Sequence, residues 1–209
     1  MTNAPEVDRV IASLPKGSRI TDVGCWGWKL ADACAKGGHT LTGLDRAEPP
    51  GRPEGARFST MRDEQLTIAD DCADLVVASH VLEHLKDPIT FFGELARIAA
   101  PEGLIWIETP SELSALGRGD DDPEKHSFTS FWDDPTHVRP YSPGALYRLA
   151  LSWKCMPLGC GRGQNGDIPV ARLLARKGHG QKGRTPYSFV TLEKLPAGVD
   201  AAWKAIWGG

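Results

Sequence analysis

The sequence lacks the features of a membrane, secreted or general nucleic-acid-binding protein. No uninterrupted apolar run exceeds four of its 209 residues, so we expect no transmembrane segment. The start, MTNAPEVDRV, has neither the basic nor the apolar region of a secretory signal. The formal net charge is −3, whereas a general nucleic-acid binder needs a basic footprint. We therefore expect no nucleic-acid partner.

Paired cysteines are also missing. The five cysteines form no Cys-x-x-Cys motif, and their odd number is typical of a reduced compartment. No paired Cys/His spacing indicates zinc, and we expect no metal site. The three consecutive acids at 120–122 could bind a divalent cation, but neighbouring side chains point in different directions, which favours a solvated loop. The sequence thus predicts a cytoplasmic protein without a metal.

What is present is a regular alternation of predicted strands and helices over residues 1–110. Apolar residues make up 41% and charged residues 24%, as in ordinary globular proteins. Strands separated by helices at this spacing indicate βαβ units and a parallel sheet. The predicted strands are Arg19–Val23, Thr40–Leu44, Ala56–Thr60, Ala73–Ala78 and Leu104–Thr109. We expect a single α/β domain over residues 1–209.

The pattern changes after Pro110. Residues 111–141 are polar and aromatic, and a segment of this length is usually functional or disordered. Within the C-terminal part, 142–209, Ser142-Pro143 predicts the start of a helix. Strands are predicted near 156–159 and 188–192, whereas residues 168–176 fit a strand or a helix. Eight Lys or Arg between positions 145 and 188 could favour an anionic substrate or a membrane surface, or form a solvated face.

A glycine turn follows the first predicted strand. The stretch Ile20–Trp28 reads ITDVGCWGW, and Asp45 ends the next predicted strand. A strand, a glycine turn and a helix start let the backbone approach a ligand closely. An acid at the next strand end can accept hydrogen bonds from two ribose hydroxyls. Together these features predict an adenosine-like ligand.

These stretches resemble class I S-adenosylmethionine-dependent methyltransferases. TDVGCWGWKLADACAKGGHTLTGLD is similar to the first two motifs of that family, and DCADLVVASHVLEHLKDPITFFGELARIAAPEGLIWIETP to its fourth-strand to fifth-strand segment. HSFTSFWDDPTHVRPY is similar to a segment of bacterial methyltransferases of glycan pathways. The resemblance implies a Rossmann-like, seven-stranded, mostly parallel sheet with helices on both faces. It also implies a lid or acceptor insertion after strand five, and S-adenosyl-L-methionine as cofactor.

The resemblance also assigns donor-binding positions. Residues of the glycine turn would lie beneath the methionine part of the donor, and those at the second strand end would contact the ribose. Residues after the third strand would face the adenine, and those after the fourth would lie beside the sulfonium. In chain order the cofactor-binding set is Asp22, Gly24, Cys25, Trp26, Gly27, Asp45, Arg46, Arg62, Asp63, Ser79 and His80.

Two tryptophans depart from the family pattern. The family has small residues where this chain has Trp26 and Trp28. An indole there could crowd the donor, stack beside its sulfonium through cation–π attraction, or fold back onto apolar surface. Crowding would leave a non-catalytic methyltransferase-like binding module. A dinucleotide-binding enzyme fits poorly, because the fingerprint GxGxxG would need glycine in place of Asp22.

Candidate acceptor residues concentrate in the segment after the fifth strand. His137 is the first candidate for the general base, since Asp134 could orient it, and His126 is the second. Arg139 could bind an anionic acceptor group. Alternatively, Asp134-Pro135 begins a turn that His137 caps. Glu83 and His84 are expected to support the donor loop. The predicted function is O-methylation of a glycan or other small-molecule acceptor.

Overall fold

A computed structural model of the chain describes residues 5–62, 64–116, 130–166 and 168–178. Four α-helices occur in these ranges: α1 Pro5–Ala12, α2 Ala31–Gly37, α3 Pro88–Ile98 and α4 Pro143–Ser152. The strands are β1 Arg19–Val23, β2 Thr40–Asp45, β3 Arg57–Arg62, β4 Gln65–Leu66, β5 Ala73–Ser79, β6 Ala99–Pro110, β7 Cys155–Asn165 and β8 Ile168–Lys177.

The strands form one mixed sheet in the order β4-β3-β2-β1-β5-β6-β8-β7. The five strands β1, β2, β3, β5 and β6 run parallel, and β4, β7 and β8 pair antiparallel with their neighbours. The Rossmann-like, mostly parallel sheet is therefore confirmed. The sheet has eight strands where seven were predicted, since the two-residue β4 pairs with the end of β3.

Helices cover both faces of the sheet, as predicted. In β6, Trp106 belongs to the apolar cluster that includes residues of α1 and α2, whereas Ile105 and Ile107 belong to the cluster that includes residues of α3 and α4. This division follows from the period of two in a strand, which points successive side chains to opposite faces. Both helices of the second cluster begin with a side-chain cap followed by proline: Asp87 accepts hydrogen bonds at α3, and Ser142 accepts one at α4.

The C-terminal part of the sheet is a β-hairpin. Residues 168–176, which fit a strand or a helix in the sequence, lie in β8, between β6 and β7. The predicted strand at 188–192 lies outside the described residues. Within the described ranges, no helix is both long enough and apolar enough to span a bilayer.

The turn between β1 and α2 depends on two glycines, Gly24 and Gly43, whose backbones lie close to neighbouring side chains. Gly24 has a φ of 77°, and a Cβ there would lie 2.5 Å from Cγ2 of Val81. The indole of Trp28 lies beneath the turn, where its Nε1 donates to the Pro49 carbonyl at 3.3 Å. On β2, a Cβ at Gly43 would lie 2.6 Å from Cys25 Sγ and 2.7 Å from Cζ3 of Trp28. The absence of a side chain at Gly43 therefore lets the turn pack on the sheet.

We expect Gly43→Ala to lower the free energy of unfolding by about 1–3 kcal/mol, as is usual when a methyl group is forced into a packed interior. Gly144→Ala is the matched control, because the nearest atom to a Cβ there is Ser142 Oγ at 3.8 Å. Urea denaturation of both variants measures the difference. Equal stability of the two would contradict this account of the turn.

Candidate functional site

A cavity of about 590 Å³ opens at the carboxyl ends of the parallel strands. Ligands of open α/β sheets bind at this edge. Eight of the predicted donor-binding and catalytic residues line the cavity: Asp22, Gly24, Trp26, Asp45, Arg46, Ser79, His80 and Asp134. They lie at or just after the carboxyl ends of β1, β2 and β5 or belong to the later polar segment, so the fold brings together groups that are far apart in the chain.

Three other expected donor residues do not line this cavity. Gly27 is exposed in the turn, and Cys25 is buried against Gly43. Arg62 is exposed at the end of β3, whereas its neighbour Met61 lines the cavity. The alternation of side chains along a strand explains this exchange, because a shift of one residue reverses the face. Asp63 and His126 lie outside the described residues.

The two tryptophans of the glycine turn have different environments. Trp28 is 5% exposed and packs edge-to-face against Phe58 at a ring distance of 6.3 Å. It has folded back onto the apolar surface. Trp26 is 77% exposed and lines the cavity. Only one of the two indoles therefore borders the space in which crowding or stacking of a ligand could occur.

Two carboxyl groups that line the cavity belong to Asp22 and Asp45. Burial raises the pKa of Asp22 to about 7, which the charge of Lys29 partly opposes and that of Asp45 reinforces. Asp22 therefore changes charge near neutral pH. Asp45 ends β2, and its Oδ1 accepts a hydrogen bond from the Arg46 amide at 2.7 Å.

His80 is fixed between two buried carboxylates. Its Nδ1 lies 3.2 Å from Glu83 Oε1 and its Nε2 lies 3.5 Å from Glu108 Oε1. Burial alone would lower the pKa of His80, but the interactions with Glu108 and Glu83 raise it to about 9. Glu108 in turn accepts from Arg172 Nε at 2.6 Å, and Arg172 contacts Glu6 of α1 at 3.0 Å.

Sequence reasoning missed Glu108 and Arg172. A signal for Glu108 was present, since it lies near the end of the predicted strand LIWIET, at the same edge as Asp22 and Asp45. Arg172 had no such signal, because its segment fitted a strand or a helix. Asn165 was also missed; its amide nitrogen donates to Glu108 Oε1 at 2.7 Å and lies 3.1 Å from His80 Nε2.

A second wall of the cavity consists of His84, Asp134 and Thr136. Nδ1 of His84 lies 2.9 Å from Thr136 Oγ1, and that hydroxyl donates to Asp134 Oδ1 at 2.5 Å. Although burial favours its neutral form, the hydrogen bonds from Thr136 keep the pKa of Asp134 below its usual range. His84 was expected only to support the donor loop, and the structure places it on the cavity wall.

His137 lies behind this wall, outside the cavity lining. Its ring centroid is 4.8 Å from that of His84, and its Nε2 is 3.7 Å from Asp134 Oδ2. Its Nδ1 contacts the Phe131 carbonyl at 2.7 Å. Arg139 is exposed and also outside the lining, with Nη2 donating to the Lys86 carbonyl at 3.0 Å.

The raised pKa of His80 makes stability depend on pH. The folded pKa of about 9 exceeds the ordinary 6.5, so the stabilising contribution of the protonated ring is complete below pH 6.5 and disappears as pH rises through about 9. We expect the difference in unfolding free energy between the wild type and His80→Gln to shrink over that range, as measured by urea denaturation. An NMR titration of His80 with a midpoint below 6.5 would contradict the arrangement.

Comparison with known proteins gives the family. A sequence profile of the methyltransferase domain matches residues 2–152. The chain is 34% identical over 105 residues to the ubiquinone biosynthesis O-methyltransferase of Vibrio parahaemolyticus, a match that covers 44% of each protein. The chain thus spans less than half the length of this curated relative.

Solved structures share the fold. An S-adenosylmethionine-dependent methyltransferase from Mesorhizobium loti has a TM-score of 0.63 and 19% identity, covering 83% of this chain and 98% of that one. One from Methanosarcina mazei has a TM-score of 0.64 and 14% identity, covering 85% and 99%. The profile match extends over more than half of the chain and agrees with this fold, and the resemblance seen in the sequence is confirmed: the chain belongs to the methyltransferase domain family.

Proposed function

We propose that the protein transfers a methyl group from S-adenosyl-L-methionine to an oxygen of a glycan or other small-molecule acceptor. The observation that carries this proposal is the cavity itself. Its lining includes seven of the eleven positions that the resemblance assigns to the donor, together with His84 and Asp134. Donor and acceptor groups thus border one space, as a direct transfer between two bound molecules requires.

The donor side has the charges that this ligand needs. Asp45 can accept hydrogen bonds from two ribose hydroxyls. The donor carries a sulfonium and an ammonium group, and ionised Asp22 would attract both. The exposed indole of Trp26 can add cation–π attraction of about 0.5–2 kcal/mol to the sulfonium. Trp28 is buried outside the cavity and does not crowd a ligand there, which supports a donor-binding enzyme over a non-catalytic module.

The acceptor side has groups that can handle a proton. In the transfer, the acceptor oxygen bonds to the methyl carbon as the carbon–sulfur bond breaks, and the hydroxyl proton must leave. His84 lines the cavity and the ring of His137 packs behind that of His84, so we propose that this pair and Asp134 assist the loss of that proton. Similarity of residues 126–141 to glycan-pathway enzymes supports an oxygen acceptor of that class.

The cellular location we propose is the cytoplasm. All five cysteines are free thiols, and burial raises the pKa of Cys25, Cys34 and Cys155 to about 12. Protonated, buried thiols are poorly reactive, which suits a reducing compartment.

Asp45→Ala tests the donor site. We expect the variant to lose about tenfold or more in affinity for S-adenosylhomocysteine, because two charge-assisted hydrogen bonds disappear. Calorimetric titration measures the loss. Asp32→Ala, an exposed acid of α2 outside the cavity, is the control and should bind as the wild type does. Equal affinity of both variants would contradict the proposal that Asp45 binds the ribose of the donor.

His137→Ala tests the acceptor side. We expect normal donor affinity but a rate of methyl transfer reduced by about 10²–10⁴-fold, as is typical when proton transfer loses its assisting group. Transfer of radiolabelled methyl to a panel of sugar, phosphosugar and phenolic acceptors gives the rate. His39→Ala, at the opposite edge of the sheet, should remain active. Full activity of His137→Ala would contradict the assignment.

A further inference from the structure

We propose that Glu83, His84 and His137 form a binding site for one divalent transition-metal cation in the wall of the cavity. One ligand atom from each of these residues lies within 4.8 Å of the other two. The sequence predicted no metal site, because the two histidines of this site are more than fifty residues apart in the chain and follow no metal-binding spacing. The catalytic role of the cation rests on the proposed function, whereas its binding does not.

The first histidine presents a free nitrogen lone pair. The hydroxyl of Thr136 donates its hydrogen bond to Asp134 Oδ1. Thr136 Oγ1 must therefore accept a hydrogen bond from Nδ1 of His84 at 2.9 Å. The proton of neutral His84 is therefore on Nδ1, and Nε2 carries the lone pair. Metal-binding histidines are oriented in this way, with the second ring nitrogen donating to a carboxylate, a carbonyl or another acceptor.

The second histidine has the same tautomer for a different reason. Nδ1 of His137 lies 2.7 Å from the Phe131 carbonyl oxygen, which can only accept a hydrogen bond. Nδ1 is therefore protonated, and Nε2 is again the free nitrogen. Phe131 also packs on the His137 ring, with centroids 4.5 Å apart, and this contact fixes its plane.

The carboxylate supplies an unsatisfied oxygen. Glu83 is completely buried, and its Oε2 accepts from Thr109 Oγ1 at 2.9 Å. Its Oε1 has no hydrogen-bond partner among the described residues. His80 Nδ1 is 3.2 Å away, at ion-pair distance but outside hydrogen-bond geometry. The charged His80 ring partly balances the charge of Glu83, but no hydrogen bond uses the lone pairs of Oε1, which remain available to a metal cation.

The backbone brings the ligands together. The Val138 amide donates to the Glu83 carbonyl at 2.6 Å, which joins the segment containing His137 to the one containing His84. Ligands of a tetrahedral zinc ion are roughly 3.4 Å apart, given metal–nitrogen distances of about 2.0–2.1 Å. The side chains would therefore move together by about 1 Å when a cation binds.

The ligand set selects the class of cation. Two imidazoles and one carboxylate suit zinc, cobalt, iron or manganese rather than magnesium, which prefers oxygen ligands alone. Because His84 lines the cavity, an open coordination position beside it would be reached from the cavity. A bound hydroxyl would have a lowered pKa and would release its proton to solvent, so the two histidines would assist this loss by holding the cation rather than by accepting the proton themselves. Its oxygen then forms the bond to the methyl carbon as the carbon–sulfur bond breaks, and no electron is gained or lost by the metal.

Cobalt titration of the chelator-treated full chain tests the site. The visible absorption of bound Co²⁺ reports its coordination, and calorimetry gives the stoichiometry. We expect the wild type to bind one cobalt ion. In His84→Gln and in His137→Gln, the absorption of bound cobalt should be lost and the affinity for cobalt should fall by about tenfold or more. His39→Gln is the matched control and should bind as the wild type does. Wild-type affinity in both site variants, or no binding by the wild type at millimolar cobalt, would overturn the proposal.

Donor titration separates this proposal from the proposed function. Binding of S-adenosylhomocysteine without cobalt binding would overturn the metal site and leave donor binding intact. Cobalt binding that depends on His84 and His137, without methyl transfer to any acceptor, would support the site and contradict only the proposed function. Should both hold, chelator should abolish transfer and added Co²⁺, Mn²⁺ or Zn²⁺ should restore it.

Discussion

The edge of the sheet that contains the cavity depends on the buried ion pair between Glu108 and Arg172. Their side chains are 1% and 3% exposed, and Oε2 lies 2.6 Å from Nε. Removing one partner of such a pair typically costs about 3–5 kcal/mol, because the other charge remains buried. The elements that contact this pair must therefore keep both side chains together. Gly163 of β7 leaves it space, since a Cβ there would lie 2.1 Å from Nη1 of Arg172.

This pair connects the sheet to the site. Glu108 faces His80 after β5, and Arg172 reaches Glu6 on α1. A continuous series of ion pairs therefore connects the β7–β8 hairpin, helix α1 and the floor of the cavity. His80 has a φ of 56° and its amide donates to the Glu108 carbonyl at 2.8 Å, which adds a backbone contact. Backbone and side-chain contacts thus connect His80 and Glu108 in the floor of the cavity, whereas Trp26 at the turn is exposed.

The sequence alone predicted the features that depend on local pattern. Continuous apolar runs located β5 and the end of β6, and Asp87-Pro88 located the start of α3. The glycine turn and the strand-end acids led to Asp22 and Asp45 in the cavity lining, because parallel strands end at one edge.

What the sequence missed depends on pairing across the chain. The strand β4 has two residues, too few for a periodic signal. Met61 rather than Arg62 lines the cavity, and a difference of one residue in register decides which of them points inward. The contact of His84 with His137 is set by the packing of residues 130–141 against the loop after β5. No local pattern contains that information.

The most direct test of the account is calorimetric titration of the wild-type chain with S-adenosylmethionine and, separately, S-adenosylhomocysteine. We expect both ligands to bind with micromolar dissociation constants, which correspond to about −8 kcal/mol. The absence of heat and of any thermal shift with millimolar concentrations of either ligand would contradict it.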